Sequence, residues 1–346
     1  MTAIFYSWFF PLLDDYESGL ESPGAKGKKA IEVLKRKTLD GRLKTVFNPC
    51  LCGCQANDVT IATKDRFGIP LITVICTNCG LIRTKYFWDQ KSTVLFYKQD
   101  FEKIYVVKNY EKFFETEVST GRRYFDILGK CSVLPEVNSV FDLGCGAGGV
   151  LYPFLLNNKI CSGCDYAQKR VVSGKKYGLD LYEGGIDLRK TALESQDLLI
   201  LSGVFEHFAD PLRDFKSATR VVKTGKYIFL YVPSITGSLI NENPWNCIQN
   251  FHSFQFFHKW FLGLYFKELG FNIVYNDLGG IVVLRKTKNA FKKSSDKVEL
   301  KFPKRYFYLS LALLMIQGAR LQVRQIIVNI LISLGIKKLF VDLGFS

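Results

Sequence analysis

Histidine is scarce in this 346-residue chain: only His207, His252 and His258 occur, and all three lie in the second half. So few imidazoles leave three candidates for a histidine-driven proton transfer and none near the cysteines of the first half. Long apolar runs are also missing. The longest nearly unbroken one, Tyr306 to Ile316, is interrupted beyond by Arg320 and Arg324, whereas a bilayer-spanning helix needs about 20 residues. The amino terminus, MTAIFYSWFFPLL, is apolar, but no basic segment precedes it and Asp14, Asp15 and Glu17 follow, so it does not read as a signal peptide. A cytoplasmic location is expected. Ten cysteines in that compartment read as thiols and metal ligands, not disulfides.

What is present is a chain that is 48% hydrophobic and 23% charged, long enough for a full core and at least one accessory unit. The formal charge of +15 is unevenly spread. Residues 285 to 346 hold thirteen Lys and Arg against three acids, so this tail supplies 13 − 3 = +10. A concentrated basic segment implies an anionic partner surface.

The organising stretch is VFDLGCGAGG, Val140 to Gly149. Buried-strand residues carry Asp142 and run into Gly144, Gly146, Gly148 and Gly149, after which Val150 and Leu151 open a helix. Glycines there permit positive φ and close backbone approach to a ligand, and free N–H groups at a helix start favour a carboxylate or phosphate. Asp142, two residues before the first glycine, can bond an amino group or the turn backbone. A second strand, Lys159 to Cys164, ends at Asp165, an acid placed to accept both ribose hydroxyls of an adenosine. A helix over Ala167 to Tyr177, a short strand at Asp180 to Tyr182 and Asp187 follow. Strand four, Asp197 to Ser202, empties into GVFEHF; a helix over Pro211 to Val222 and a fifth strand, Tyr227 to Val232, come next.

With these four motifs in order, the segment from about Glu115 to Lys286 resembles the class I S-adenosylmethionine (SAM)-dependent methyltransferases. The resemblance implies an α/β, Rossmann-like, seven-stranded core that binds SAM. It places the methionine portion on the glycine turn, the ribose on Asp165, the adenine amino group near Asp187, and Tyr166 and Ser202 beside the cofactor. It also implies that Lys259 to Leu269 is the last helix and that Phe271 to Val283 form an antiparallel hairpin.

Upstream, NPCLCGC and VICTNCGLI place Cys50-x-Cys52 and Cys76-x-x-Cys79 on two knuckles, each followed by glycine. Two such knuckles on adjacent hairpins make a tetrahedral Zn²⁺ site. Val59 to Ile61 and Leu71 to Val74 read as the strands between them, with a turn at Arg66 to Gly68. An all-cysteine set with no open position is structural, and Cys54 is a spare thiol that can substitute for one of the four. A zinc ribbon ahead of a methyltransferase core also resembles bacterial sugar C-methyltransferases of cell-surface glycan pathways. In these the ribbon helps wall the substrate cleft. The bridge from Tyr86 to Tyr124 is expected to form helices over the cofactor, with Tyr105 and Tyr110 as stacking candidates.

The loop Ser234 to Phe257 is where the resemblance puts the acceptor. His252 in that loop and His207 in FEHF, beside Glu206, are the candidate bases; His258 reads as helix-start surface. LSGVFEHF has no Asn/Asp-Pro-Pro-aromatic run of the kind found in nucleobase amine methyltransferases, and no Pro-Cys nucleophile. A sugar or other small hydroxylated acceptor, free or lipid-linked, is therefore favoured and nucleic acid is not. The rival readings are an RNA methyltransferase using ribbon and tail, and a silent SAM-fold scaffold.

The expected organisation is a tether over 1–45, with a flexible linker at Gly19 to Lys29 and a short basic helix at Ile31 to Thr38; a ribbon over 46–90; the methyltransferase domain over 91–288; and a basic amphipathic helical tail over 289–346. A polar stripe at Gly318, Gln322, Gln325, Asn329 and Ser333 supports helix in the tail. Its apolar face suits either peripheral contact with the inner face of a membrane or packing on protein.

Overall fold

The computed structural model describes residues 25–53, 58–65, 67–186, 190–234, 255–256 and 259–292. The expected tail helix, most of the tether and the middle of the acceptor loop lie outside the described residues.

The chain begins with α1 (Ala25–Leu39), so the linker expected at Gly19 to Lys29 is helical over its last five residues, and the basic helix is longer than the spacing suggested. The reason is packing. Ile31 and Leu34 are buried against Ile69, Phe87, Trp88 and Phe96, which fixes the segment as part of a small core. β1 (Thr45–Phe47) follows and pairs with β5 (Tyr86–Trp88). Between them β2 (Asp58–Lys64), β3 (Pro70–Cys76) and β4 (Ile82–Thr84) form an antiparallel ribbon. The β2–β3 turn is held by Asp65 Oδ1, which accepts from Phe67 N at 2.9 Å and Ile69 N at 2.7 Å, with Gly68 at φ 72°.

The bridge is helical, as expected: α2 (Gln90–Gln99), α3 (Phe101–Ile104) and α4 (Tyr110–Lys130). Asn109 caps α4 by accepting from Glu111 N and Lys112 N. Phe114, Val118, Gly121, Tyr124 and Leu128 form its buried stripe. At Gly121 a Cβ would meet the Val150 backbone at 2.8 Å, so glycine lets the helix lie directly on the turn after β6.

The main sheet has seven strands in the order β12-β13-β10-β9-β6-β7-β8. These are β6 (Ser139–Leu143), β7 (Ile160–Asp165), β8 (Asp180–Glu183), β9 (Gln196–Ser202), β10 (Val222–Tyr231), β12 (Asn272–Asn276) and β13 (Ile281–Arg285). β8, β7, β6, β9 and β10 are parallel, and β13 runs antiparallel between β10 and β12. Val140, Phe141, Leu198 to Leu201 and Ile228 to Leu230 are all buried. Such continuous apolar runs belong to strands covered on both faces.

The helices are shorter than the sequence suggested. After the glycines comes one 3₁₀ turn and then α5 (Tyr152–Leu156), while α6 (Gln168–Lys175) ends two residues before Tyr177. α7 (Pro211–Ala218) passes through a 3₁₀ turn, and Val222, expected in the helix, already opens β10. Two contacts also reach across the expected limits of the units. β11 (Gln255–Phe256), from the acceptor loop, pairs with β4 and so joins the ribbon sheet. At the other end, Phe291 packs on Phe215 and Phe271 and its N–H donates to Leu269 O, carrying the core past residue 288. α8 (Lys259–Glu268) matches the expected last helix to within one residue. Among the described residues no helix is long and apolar enough to cross a membrane.

Candidate active site and cysteine cluster

The carboxyl ends of β6, β7 and β9 border a cleft of about 550 Å³. In open α/β sheets this edge, where the strand order reverses, is where ligands bind. Gly144 (φ 77°), Gly146 (φ 58°) and Gly148 (φ 78°) all adopt left-handed backbone, which glycine tolerates best. Gly144 and Gly146 line the cleft. Gly148 does not: a Cβ there would meet Leu179 and Leu181 at 2.9 Å, so it serves packing.

The free N–H groups expected at this turn are a correction. Gly146 N donates to Asp165 Oδ2 at 2.9 Å, and Ala147 N and Gly149 N donate to Glu117 Oε2 at 3.2 and 3.1 Å. Protein carboxylates, not a ligand, already satisfy these donors. Asp165 also accepts from Ala167 N at 2.7 Å and lines the cleft, so it braces the turn and still faces the site where a ribose is expected.

Glu117 was not singled out from the sequence, although the signal was there. It falls three residues after Phe114 and four before Gly121, an acid within the apolar stripe of α4. Burial pushes its carboxyl up to about 8, against the two backbone donors and Arg170, which hold it down. Asp142 is corrected in the opposite sense. It is 1% exposed, lies between β7 and β9 in the sheet, is not among the cleft-lining residues, and has one oxygen without a hydrogen bond. Burial, with the nearby Glu117 and Asp165, raises its pKa well above the usual carboxylate range. It therefore does not reach an amino group in the cleft.

Tyr166 and Ser202 line the cleft as expected; the Ser202 hydroxyl is paired with Tyr124 OH at 2.8 Å. His207 lines it too, its ring centroid 6.2 Å from that of Tyr97 and its Nε2 3.7 Å from Glu206 Oε1. Glu206 is fully enclosed, and burial pushes its carboxyl up to about 8. Tyr97 and Phe101, rather than Tyr105 and Tyr110, are the bridge aromatics that line the cleft. Asp187, His252 and His258 lie outside the described residues.

A family profile described as a methyltransferase domain matches residues 114–276. The match covers just under half of the chain, and it marks these residues as similar to a methyltransferase domain. The chain is 28% identical over 116 residues to a ubiquinone biosynthesis O-methyltransferase of Nitrosomonas europaea, covering 31% of this chain and 45% of that relative. It thus spans less than half of the curated relative it matches. An O-methyltransferase family protein from Burkholderia thailandensis superposes with a TM-score of 0.38 at 17% identity, covering 58% of this chain and 64% of the other. For a SAM-dependent methyltransferase from Archaeoglobus fulgidus the TM-score is 0.36 at 23% identity, covering 46% and 69%.

Next to the methyltransferase domain the four expected cysteines converge. Cys50, Cys52, Cys76 and Cys79 are buried, and their sulfurs lie within 4.8 Å of one another. Cys50–Cys79 and Cys50–Cys52 are 3.4 Å apart and Cys52–Cys76 3.8 Å. Tetrahedral Zn–S bonds of about 2.3 Å put sulfurs roughly 3.8 Å apart, so the set is compatible with zinc. Gly53 and Gly80, at φ 80° and 76°, make the knuckle turns. Leu81 N points at Cys79 Sγ, and Asn78 Nδ2 at Cys52 Sγ, each at 3.5 Å. Cys54 lies outside the described residues.

Beneath the cluster Arg83, fully buried, forks onto both oxygens of Asp58 at 2.9 Å and donates from Nε to Asn48 O. A buried guanidinium needs this pairing. A second cavity of about 510 Å³ lies between the first knuckle and the domain. Asn48, Leu51, Asp210, Arg213 and Tyr265 are among its walls, and Gln90 and Ala209 line both cavities.

Two outcomes follow from this geometry. Elemental analysis of protein purified without added metal is expected to find one zinc per chain, and the Cys76→Ser Cys79→Ser double variant is expected to lose it. Because Glu206 keeps its proton to about 8 when folded and to about 4.5 when unfolded, the folded state holds the extra proton between those values. Stability contributed by this group therefore falls as pH rises through that window, by up to roughly 1.4 kcal/mol per unit. Glu206→Gln is expected to flatten the decline in melting temperature between pH 5 and 8 relative to wild type.

Proposed function

We propose that this chain transfers a methyl group from SAM to a small hydroxylated acceptor, a sugar or a molecule of similar size. The carrying observation is that the glycine turn, Asp165 and His207 line one cleft. Its volume falls within the range of small-molecule sites, roughly 300 to 1,000 Å³. The residues fit the cofactor: the acid at Asp165 suits a ribose diol, and Tyr166 and Ile186 give apolar surface for a base.

When bound, SAM supplies a methyl group on a cationic sulfur. The chain's contribution is alignment, exclusion of water and removal of a proton from the acceptor hydroxyl. His207 is the base in this reading. Glu206, protonated at neutral pH, places no carboxylate charge beside the imidazole. The acceptor's place is the second cavity, which meets the cleft at Gln90 and Ala209 and is walled by the cysteine unit. The relative from Nitrosomonas europaea is named an O-methyltransferase, which favours oxygen as the methylated atom. In this reading the zinc is structural, fixing the first knuckle as a wall of the acceptor cavity. The basic, apolar sequence after residue 292 suits an acceptor carried on a lipid.

The test is calorimetric titration with SAM. Asp165→Asn removes the charge that grips the diol and gives up one of the two backbone hydrogen bonds that Asp165 accepts, so the melting temperature is expected to fall while the chain still folds. Charge-assisted hydrogen bonds contribute about 1.5 to 3 kcal/mol each, so affinity is expected to fall at least about tenfold at a temperature where both proteins are folded. Wild-type affinity in the variant would refute the assignment.

A further inference from the structure

The second cavity carries a polar group that no contact within the protein explains. Tyr265, on α8, is 1% exposed, and its ring packs among Phe205, Phe261 and Phe266. The residue lines the cavity, and its hydroxyl is buried and makes no hydrogen bond. A phenylalanine would fill the same core, whereas a buried hydroxyl without a partner costs stability. Burial, and after it the nearby Asp210 charge, pushes the phenol well above its usual range, so it keeps its proton and remains a donor. Asp210 lines the same cavity. One of its oxygens caps α7 by accepting from Arg213 N at 3.0 Å, and the other makes no hydrogen bond among the described residues. The Asp210 charge thus acts on Tyr265, yet no hydrogen bond joins the two side chains.

A donor without an acceptor and a carboxylate oxygen without a donor, on the wall of one cavity, complement a group that is both. A hydroxyl is such a group. The charges point the same way. Arg213, the arginine of this wall, is paired with Asp214 at 2.9 Å, while Asp89 and Asp210 join no ion pair among the described residues. A phosphate or carboxylate placed there meets uncompensated negative charge, which selects against it. Phe47, 40% exposed, adds aromatic surface for the C–H face of a ring. We propose that Tyr265 and Asp210 hold one hydroxyl of the acceptor between them, the phenol donating to its oxygen and the carboxylate accepting from its O–H. The pair thereby selects a neutral polyol, such as an unphosphorylated sugar ring, at this end of the acceptor. Neither residue lines the cofactor cleft, so the contact fixes the acceptor and not SAM. This inference rests on the acceptor cavity proposed above.

The experiment is a ligand-observed NMR titration of the full chain, with and without S-adenosylhomocysteine, using glucose, galactose, rhamnose and glucose 6-phosphate as probes. Wild type is expected to bind at least one of the neutral sugars, and glucose 6-phosphate more weakly than glucose. Y265F removes only the donor. D210N keeps the helix cap, since asparagine caps as well as aspartate, but gives up the charge and the free oxygen. Each variant is expected to weaken the neutral sugar at least about threefold, with S-adenosylhomocysteine affinity, read by calorimetry, within about twofold of wild type. Y265F is also expected to melt at or above the wild-type temperature, because it removes a buried hydroxyl that has no partner. Sugar binding unchanged in both variants overturns the assignment, as does a Y265F chain that melts below wild type. A chain that binds S-adenosylhomocysteine and none of the sugars, or binds glucose 6-phosphate as tightly as glucose, overturns the selection of a neutral polyol. Sugar binding without S-adenosylhomocysteine binding overturns the cofactor reading and leaves this site standing.

Discussion

Carboxylates gathered around one glycine turn are the constraint on which the site depends. Asp165 takes the Gly146 donor, Glu117 takes those of Ala147 and Gly149, and Asp142 lies buried behind them. Burial is the main reason that Glu117 is pushed up to about 8 and Asp142 well above its usual range, and the neighbouring acids add to it. Such a cluster is costly when the cleft holds no positive charge and favourable when it does. The scaffold supplies the closeness: Gly121 and Gly149 let α4 lie directly on the turn, and a Cβ at either would strike backbone across the contact.

The cysteine unit depends on the same economy of contacts. Its sheet is closed by β11, contributed by the loop that follows the main sheet's fifth parallel strand, so the ribbon is stitched to the methyltransferase domain by backbone pairing. That pairing brings the first knuckle, through Asn48 and Leu51, to the wall of a cavity whose other side is α7 and Tyr265. Fixing the knuckle with a metal would therefore fix the shape of that cavity.

Much of this was legible in the sequence because it is local. Strand-turn-helix order, the glycines of VFDLGCGAGG, Asp165 at a strand end and the two cysteine knuckles are short-range patterns, and each is found within a residue or two of its expected place. The misses are long-range. Nothing near Asp142 reveals that its strand is central and its side chain shut away from the cleft, because that follows from pairing with β7 and β9. Likewise, Glu117 reads as one more polar residue on an amphipathic helix until Gly121 brings it against a turn about 30 residues away in the chain. Ala25 to Lys29 read as linker from composition, yet they are helical because Ile31 and Leu34 find a partner core in the bridge.

The central claim is that this turn accepts a cationic adenosyl ligand and not a dinucleotide pyrophosphate. The direct measurement is the melting temperature of the full chain with SAM and, separately, with NAD at equal concentration. The account predicts that SAM raises it and NAD leaves it unchanged, since a ligand that binds only the folded state stabilises it in proportion to its affinity. A rise with NAD and none with SAM would contradict it.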